Sequence, residues 1–285
     1  MTRRVGLIGK PLKRRHSQVM HDAAFDAAGI DARYVLLELD PDEVEASVAA
    51  ARGEEWLGLG VTAPYKRMIA GLCDEIAPEA AAIGAVNNVA RTTEGRLVGF
   101  NTDALGFRAG VEFAMERTLT DASVVVAGAG GAAHAVVFAC LDAGASRVTI
   151  GNRTLESAAA LAARFADVGP GAVSAVTLDD PVFGAALRTA DLAVNATTVG
   201  MVDQGMTIDV AGLPASATVF DLVYVPPETA LLRAARERGL RAANGSEMLI
   251  AQAAAAFERW TGLAGMADVM RAAVAPLLAD PNVRA

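Results

Sequence analysis

Two groups of residues in this chain have types and spacing that could do chemistry. The first is Gly128-Ala129-Gly130-Gly131-Ala132-Ala133, which follows the apolar run Val124-Val125-Val126-Ala127. A helix-forming stretch comes next, then Val148-Thr149-Ile150 and Asn152-Arg153-Thr154. Strand, glycine turn, helix and strand in that order form the opening unit of a dinucleotide site. Gly128 allows the tight turn, Gly130 lets the backbone approach a pyrophosphate, and Ala133 is small enough for close helix–strand packing. The helix N-terminus offers unpaired N–H groups to the phosphates. A βα turn without a ligand is the plainer alternative, and the strand and helix on either side weigh against it. Where an NAD site carries Asp or Glu for the ribose hydroxyls, this chain has Arg153. A guanidinium suits a 2′-phosphate and an adenine face, so NADP is the expected cofactor. An ordinary solvated arginine is the competing reading, and Ser157 brings no second positive charge.

The second group is Lys66 and Asp103. Lys66 closes Thr62-Ala63-Pro64-Tyr65-Lys66, and Asp103 closes Asn101-Thr102-Asp103. A lysine beside a carboxylate can position a substrate hydroxyl and exchange its proton while hydride leaves the carbon. A solvated surface pair is the alternative. Ala85-Val86-Asn87-Asn88 and Gly245-Ser246-Glu247-Met248-Leu249-Ile250-Ala251-Gln252 are further polar clusters, although Asn87 and Asn101 could simply cap turns. His16, His21 and His134 form no metal-ligand spacing, and alcohol oxidation with a lysine at the oxygen requires none, so no metal is expected. His21 reads as a structural histidine.

These groups need elements to hold them. Val5–Ile8, Tyr34–Leu39 and Trp56–Val61 read as strands, and Ser17 is placed to cap a helix running to Ala28. Asp40-Pro41-Asp42-Glu43 is expected to start another helix, and Val89–Arg91 and Leu97–Val98 to form a hairpin around Glu94-Gly95. A helix from Leu105 to Arg117 leads into the dinucleotide module. That module continues through strands at Val173–Thr177, Leu192–Asn195 and Val219–Asp221. Pro226-Pro227 should restart a helix to Arg238, and the chain is helical from Ser246 with a break at Gly262–Gly265. The terminal helices are expected to return to the first domain, with the active site in the cleft between the two domains.

Composition narrows the function classes. A hydrophobic content of 53% over 285 residues suits α/β cores. The net charge of −8, with scattered basic residues, argues against nucleic acid or anionic membrane as partner. No transmembrane run and no signal-peptide pattern are seen, and Cys73 and Cys140 lack a CxxC partner. A cytoplasmic protein with two reduced, buried thiols is expected.

Taken in order, the motifs closely resemble the shikimate dehydrogenase family. They are Val61-Thr62-Ala63-Pro64-Tyr65-Lys66, Gly84-Ala85-Val86-Asn87-Asn88, Asn101-Thr102-Asp103 and Gly128-Ala129-Gly130-Gly131-Ala132. Asn152-Arg153-Thr154, Asn195-Ala196-Thr197-Thr198-Val199-Gly200-Met201, Asp221-Leu222-Val223-Tyr224-Val225-Pro226 and Gly245 to Gln252 complete the set. The resemblance implies a two-domain α/β fold. Residues 1–104 and 245–285 would form a substrate domain completed by C-terminal helices, and residues 105–244 a Rossmann-like NADP-binding domain. It also implies reversible NADP-dependent reduction of 3-dehydroshikimate to shikimate, a step towards chorismate and the aromatic amino acids. Lys66 and Asp103 would be the catalytic pair, and Asn87, Asp103 and Gln252 would hold ring hydroxyls. Thr62 and Tyr224 would complete the substrate pocket. The cofactor would meet Gly128 to Ala132, Asn152, Arg153, Thr154, Thr197, Met201 and Leu222, with Gly245 and Met248 beside the nicotinamide. The family contains monomers and homodimers, and either is allowed.

The departures fall on the substrate side. Family members carry a Ser-x-Ser-Pro segment whose hydroxyls grip the substrate carboxylate. Here Ser17 matches the second serine and Arg15 replaces the first, where it could make a bidentate contact to that carboxylate. Gly60 stands where an asparagine is common in the family, and Asn88 replaces the usual threonine. Quinate, an aminoshikimate-like compound or another hydroxylated cyclic carboxylate is therefore an alternative substrate. A nucleotide-sensing binding protein with little turnover is a third reading, and the presence of both Lys66 and Asp103 argues against it.

Overall fold

A computed structural model of the chain describes residues 2–116 and 118–279. In chain order the first elements are β1 (Arg3–Gly9), α1 (His16–Ala27), β2 (Ala32–Glu38), α2 (Val44–Ala50), β3 (Trp56–Val61), β4 (Glu75–Ile76), α3 (Pro78–Ile83), β5 (Asn88–Arg91) and β6 (Leu97–Phe100). Then come α4 (Asp103–Met115), β7 (Ser123–Ala127), α5 (Gly131–Asp142), β8 (Arg147–Asn152), α6 (Leu155–Arg164), β9 (Ala172–Thr177), α7 (Pro181–Leu187) and β10 (Leu192–Asn195). The last are β11 (Thr218–Asp221), α8 (Ala230–Glu237), β12 (Arg241–Asn244), α9 (Ser246–Thr261) and α10 (Ala267–Ala279). The chain divides into two α/β units. One is Met1–Asp103 with Ile250–Leu277, and the other is built on Ala104–Leu249.

The first unit holds a mixed sheet in the order β2-β1-β3-β5-β6-β4. β1, β2 and β3 are parallel, and β5 runs antiparallel to both β3 and β6. Every residue of β3 is buried, as expected of a central strand. Leu59 and Val61 join Ile8, Val48, Ile69 and Val89 in one apolar core. The terminal helix α9 is tied to this sheet by Trp260, whose Nε1 donates to Val89 O at 2.9 Å, and by Phe257 against Phe25 of α1 at 5.2 Å between ring centroids.

The second unit holds a parallel sheet in the order β12-β11-β10-β7-β8-β9. Its central strands β7, β10 and β11 read as apolar runs because both faces are covered: Val124, Val125, Val126, Ala193, Val194, Val219 and Phe220 are all fully buried. The winding reverses between β7 and β10. That reversal is the switch point where doubly wound sheets bind ligands beyond their strand ends.

Several boundaries differ from the sequence reading. α1 starts one residue before Ser17, so Arg15 takes the capping position and Ser17 lies in the first turn without a capping bond. α2 begins at Val44, although the Glu43 carboxylate still accepts from Asp40 N–H at 2.7 Å, one half of a capping box. α8 begins at Ala230 rather than at the prolines, because the Thr229 hydroxyl accepts from Leu232 N–H and sets the start there. α4 runs from Asp103 to Met115, and Arg117 lies outside the described residues. Residues 245–249, expected with the first domain, group with the second. A Cβ on Gly245 would lie 2.4 Å from Leu222 O, and one on Gly110 would lie 3.0 Å from Met248 N, so this turn is packed within that unit. Cys140 is buried as expected, but Cys73 is only half-buried; both are free thiols. No helix among the described residues is long and apolar enough to cross a membrane.

Candidate active site

In the first unit the polar residues singled out above converge on Asp103. Lys66 Nζ lies 2.6 Å from Asp103 Oδ2, with only 24% and 13% of the two side chains exposed. The other carboxylate oxygen accepts from Asn87 Nδ2 at 2.8 Å. Asn87 is oriented in turn, its Oδ1 accepting from Thr102 N–H at 2.9 Å and from Asn88 Nδ2 at 2.7 Å. Both carboxylate oxygens of Asp103 are therefore held, which makes the pair preorganised rather than a loose surface contact.

The sheet explains how distant residues meet. Gly60 of β3 is in register with Asn88 of β5, which is in register with Phe100 of β6. That ladder sets Asn87-Asn88 beside Asn101-Thr102-Asp103. Asn101 Oδ1 accepts from Asp103 N–H at 2.9 Å while its Nδ2 donates to Ala85 O at 2.9 Å, so it starts α4 and anchors the turn at once. Lys66 is tied through its carbonyl to Val86 N–H at 2.8 Å, and its neighbour Tyr65 is buried with its hydroxyl on Leu39 O at 2.7 Å. Gln252, on α9, joins the cluster through a 3.5 Å contact between Thr102 Oγ1 and its Oε1. Thr62, half-buried, sits at the end of β3 with its N–H on Ile8 O at 2.8 Å.

Arg15 and Ser17 lie at the start of α1. Ser17 is half-buried, and its hydroxyl makes no hydrogen bond among the described residues. Arg15 is exposed and its Nε donates to Gln18 Oε1 at 2.9 Å; its two terminal nitrogens have no hydrogen-bond partner among the described residues. Gly60 has a structural reason. A Cβ there would stand 2.5 Å from the Tyr34 hydroxyl oxygen. The Tyr34 ring is buried and stacks on His21 at 4.6 Å between centroids, so it cannot swing away freely. His21 is structural, as expected, and burial holds its imidazole down to about 3. Sequence reasoning misses Tyr34, whose part depends on a residue two strands away, on the far side of β1.

In the second unit the glycine turn lies at the switch point. Gly128 has φ +114°, a conformation that only glycine adopts at little cost. A Cβ there would also meet Thr197 Cγ2 at 2.8 Å and Ala196 O at 3.0 Å. Gly130 and Gly131 differ: a Cβ on either would touch no protein atom within 4 Å. Gly131 opens α5, whose first N–H groups lie beside this open space. Ala129 and Ala132 complete the turn, and Ala133 is fully buried as expected. At the end of β8, Asn152 Nδ2 donates to Thr154 Oγ1 at 3.1 Å and Thr154 Oγ1 to Ser157 Oγ at 3.0 Å. Arg153 is exposed and makes no hydrogen bond or ion pair among the described residues.

A buried carboxylate arranges the neighbouring loops. Asp221, fully buried, accepts from Thr229 Oγ1 at 2.6 Å, Asn195 Nδ2 at 2.9 Å and Val223 N–H at 3.1 Å. Burial pushes its carboxyl upward, and the three hydrogen bonds oppose that shift. Asn195 Oδ1 then accepts from the Thr197 hydroxyl at 2.7 Å, holding the segment that leads to Met201. Leu222 and Tyr224 follow β11 and are half-buried; Gly245 and Met248 lie at the start of α9. Asn195 and Asp221 belong to two of the motifs quoted above, yet the bonds between them are not legible there. Asparagine and aspartate at the ends of adjacent strands are the available signal. No group of three His, Cys, Asp or Glu side chains is placed to hold a metal among the described residues.

Known proteins resemble this chain in sequence and fold. The model of the shikimate dehydrogenase substrate binding domain matches residues 7–89, that of shikimate / quinate 5-dehydrogenase residues 112–209, and that of the shikimate 5'-dehydrogenase C-terminal domain residues 245–275. A shikimate dehydrogenase (NADP(+)) from Geobacter sp. (strain M21) is 40% identical over 286 residues, covering 99% of this chain and 97% of the relative. The crystal structure of shikimate 5-dehydrogenase from Thermus thermophilus in complex with NADP(H) and shikimate has 36% identity and a TM-score of 0.82, covering 95% of this chain and 99% of that one. Quinate dehydrogenase from Corynebacterium glutamicum in complex with NAD has 32% identity and a TM-score of 0.89, covering 96% of this chain and 99% of that one. With matches along nearly its whole length, the chain belongs to the shikimate dehydrogenase family.

Proposed function

We propose that this protein is an NADP-dependent oxidoreductase that interconverts 3-dehydroshikimate and shikimate. The observation that carries the reading is the braced Lys66–Asp103 pair. The Lys66 ammonium has three N–H donors, and one is engaged by Asp103. The remaining donors can take a substrate oxygen. In the reducing direction that oxygen gains negative charge, and Lys66 Nζ supplies its proton; in the oxidising direction the same nitrogen receives it. Asp103 keeps the ammonium in place and offers Oδ1 and Oδ2 to a neighbouring ring hydroxyl. Asn87 and Gln252 supply the amide groups for the other hydroxyls, Thr62 adds a hydroxyl, and Ser17 and Arg15 are the donors for the carboxylate.

The second unit fits NADP. Gly130 and Gly131 leave room that protein packing does not use, which suits a close-lying pyrophosphate at the start of α5. Arg153, with its guanidinium unengaged among the described residues, suits the 2′-phosphate, and Asn152 and Thr154 shape the turn around it. Thr197, Met201, Leu222, Gly245 and Met248 are assigned to the remainder of the cofactor. When bound, NADP supplies or accepts the hydride; the protein's own part is to place the carbonyl and deliver the proton.

A second reading keeps the chemistry and changes the acid. Arg15, Gly60 and Asn88 all fall on the substrate side, and the Tyr34 hydroxyl takes the space that a side chain at position 60 would use. Quinate or another hydroxylated cyclic carboxylate would then be the preferred substrate. Purified protein should be assayed by nicotinamide absorbance with NADP⁺ and NAD⁺ against shikimate, quinate and related acids. Fastest turnover with NADP⁺ and shikimate is expected. A clear preference for another acid would establish the second reading. No turnover with any acid would overturn both and favour a nucleotide-binding role.

A further inference from the structure

The geometry points to Asn88 as a positioning residue for the proton-transfer pair, an inference that rests on the oxidoreductase reading above. Asn88 is buried, and its carboxamide nitrogen serves two acceptors, Asn87 Oδ1 at 2.7 Å and Thr102 Oγ1 at 3.0 Å. Each bond fixes something that the site needs.

The first bond fixes which way the Asn87 amide points. As observed, Asn87 Oδ1 faces two donors, Asn88 Nδ2 and Thr102 N–H, while Asn87 Nδ2 faces Asp103 Oδ1. A flipped amide would set its oxygen against the Asp103 carboxylate and its NH₂ against both donors. Asn88 supplies one of the two donors that forbid the flip. The second bond fixes a hydroxyl. Thr102 Oγ1 accepts from Asn87 at 3.2 Å and from Asn88 at 3.0 Å, so its own proton is turned towards Gln252 Oε1 at 3.5 Å. One side chain thus orients the brace on Asp103 and the link to Gln252. The Asn88 amide itself donates to neither Lys66 nor Asp103.

Threonine and valine have the same shape and differ in one hydroxyl donor, which makes them the discriminating pair. Asn88→Val should lower kcat about 10-fold or more, because buried acceptors lose a donor. The KM for NADP⁺ should not move, since the cofactor turn is built elsewhere. Asn88→Thr restores a donor on a shorter stem and should stay within about 3-fold of wild type. Equal turnover in folded Asn88→Val and Asn88→Thr would overturn the proposal. If Asn88→Val does not fold, the smaller pair Asn88→Ala and Asn88→Ser makes the same comparison. A wild type inactive on every acid would instead overturn the oxidoreductase reading. Hydrogen exchange of the Asn88 side-chain amide, followed by NMR, then decides separately: protection is expected, and exchange at the rate of an exposed asparagine would overturn the assignment.

Discussion

The Lys66–Asp103 cluster of the first unit and the glycine turn of the second treat their polar groups in opposite ways. Around Asp103 both carboxylate oxygens are engaged, by Lys66 and Asn87, and Asn88, Asn101 and Thr102 brace this arrangement through further hydrogen bonds. Around the glycine turn of the second unit, Gly130 and Gly131 face open space and Arg153 has no partner among the described residues. A network that must hold a proton donor at a defined place gains from being complete beforehand. A cradle for a large anionic ligand gains from leaving its donors uncommitted. Chemical steps should therefore be sensitive to small changes in the first unit, and binding to small changes in the second.

The largest break should come from Lys66→Ala. Loss of a group that stabilises developing charge costs roughly 10²-fold in rate or more, with NADPH binding nearly intact. Steady-state turnover and fluorescence titration would check the two halves; near-normal turnover in folded protein would remove Lys66 from the mechanism. Asp103→Asn keeps the size but loses the partner of the ammonium, and turnover should fall by about 10-fold or more. In the second unit the expected change is in binding instead. Arg153→Asp should weaken NADP⁺ by roughly 10-fold or more while sparing NAD⁺, because a carboxylate repels the 2′-phosphate and accepts from an unphosphorylated ribose. Wild-type protein that binds both cofactors equally would contradict the NADP assignment before any mutant is made.

Acid should weaken the first unit in particular. His21 titrates near 6.5 when unfolded and is held down to about 3 by burial. The unfolded chain therefore binds the extra proton first, and stability present above about 6.5 is lost as pH falls towards 3. The slope for this residue is at most about 1.4 kcal/mol per pH unit. Burial also lowers His16, which adds with the same sign. His21→Phe keeps a flat ring against Tyr34 and should reduce the loss of Tm between about pH 7 and pH 5; an unchanged loss would place the acid sensitivity elsewhere. The smallest effect belongs to Arg15→Ser, which should raise the KM for the preferred acid by about 3-fold and leave cofactor affinity alone. Identical KM values across a substrate panel would show that Arg15 is only a solvated cap of α1.

The legibility of these features in the sequence follows their physical range. β7 and β10 are covered on both faces and read directly as Val124-Val125-Val126 and Leu192 to Asn195. β12 is an edge strand with little apolar signal in Arg241–Asn244, and nothing local announces it. Helix starts are misread where a competing start signal stands near the true one: Ser17 lies inside its first turn, and Thr229 outcompetes the prolines before it. Lys66 and Asp103 can be named from motifs. The bonds of Asn88 cannot, because they depend on the exact register of β5 on β6, which sets Asn88 opposite Phe100 and within reach of Thr102.

The contact between Gly60 and Tyr34 limits the order in which this site can change. An asparagine at position 60 would need the space that the Tyr34 hydroxyl fills, and the Tyr34 ring is wedged against His21. Gly60→Asn alone should therefore be a poor intermediate. A smaller residue at position 34 would have to come first, and that step opens a void beside the ring of His21. Positions 60 and 34 are thus coupled: a side chain at one requires a matched loss of volume at the other, so the two can change only together.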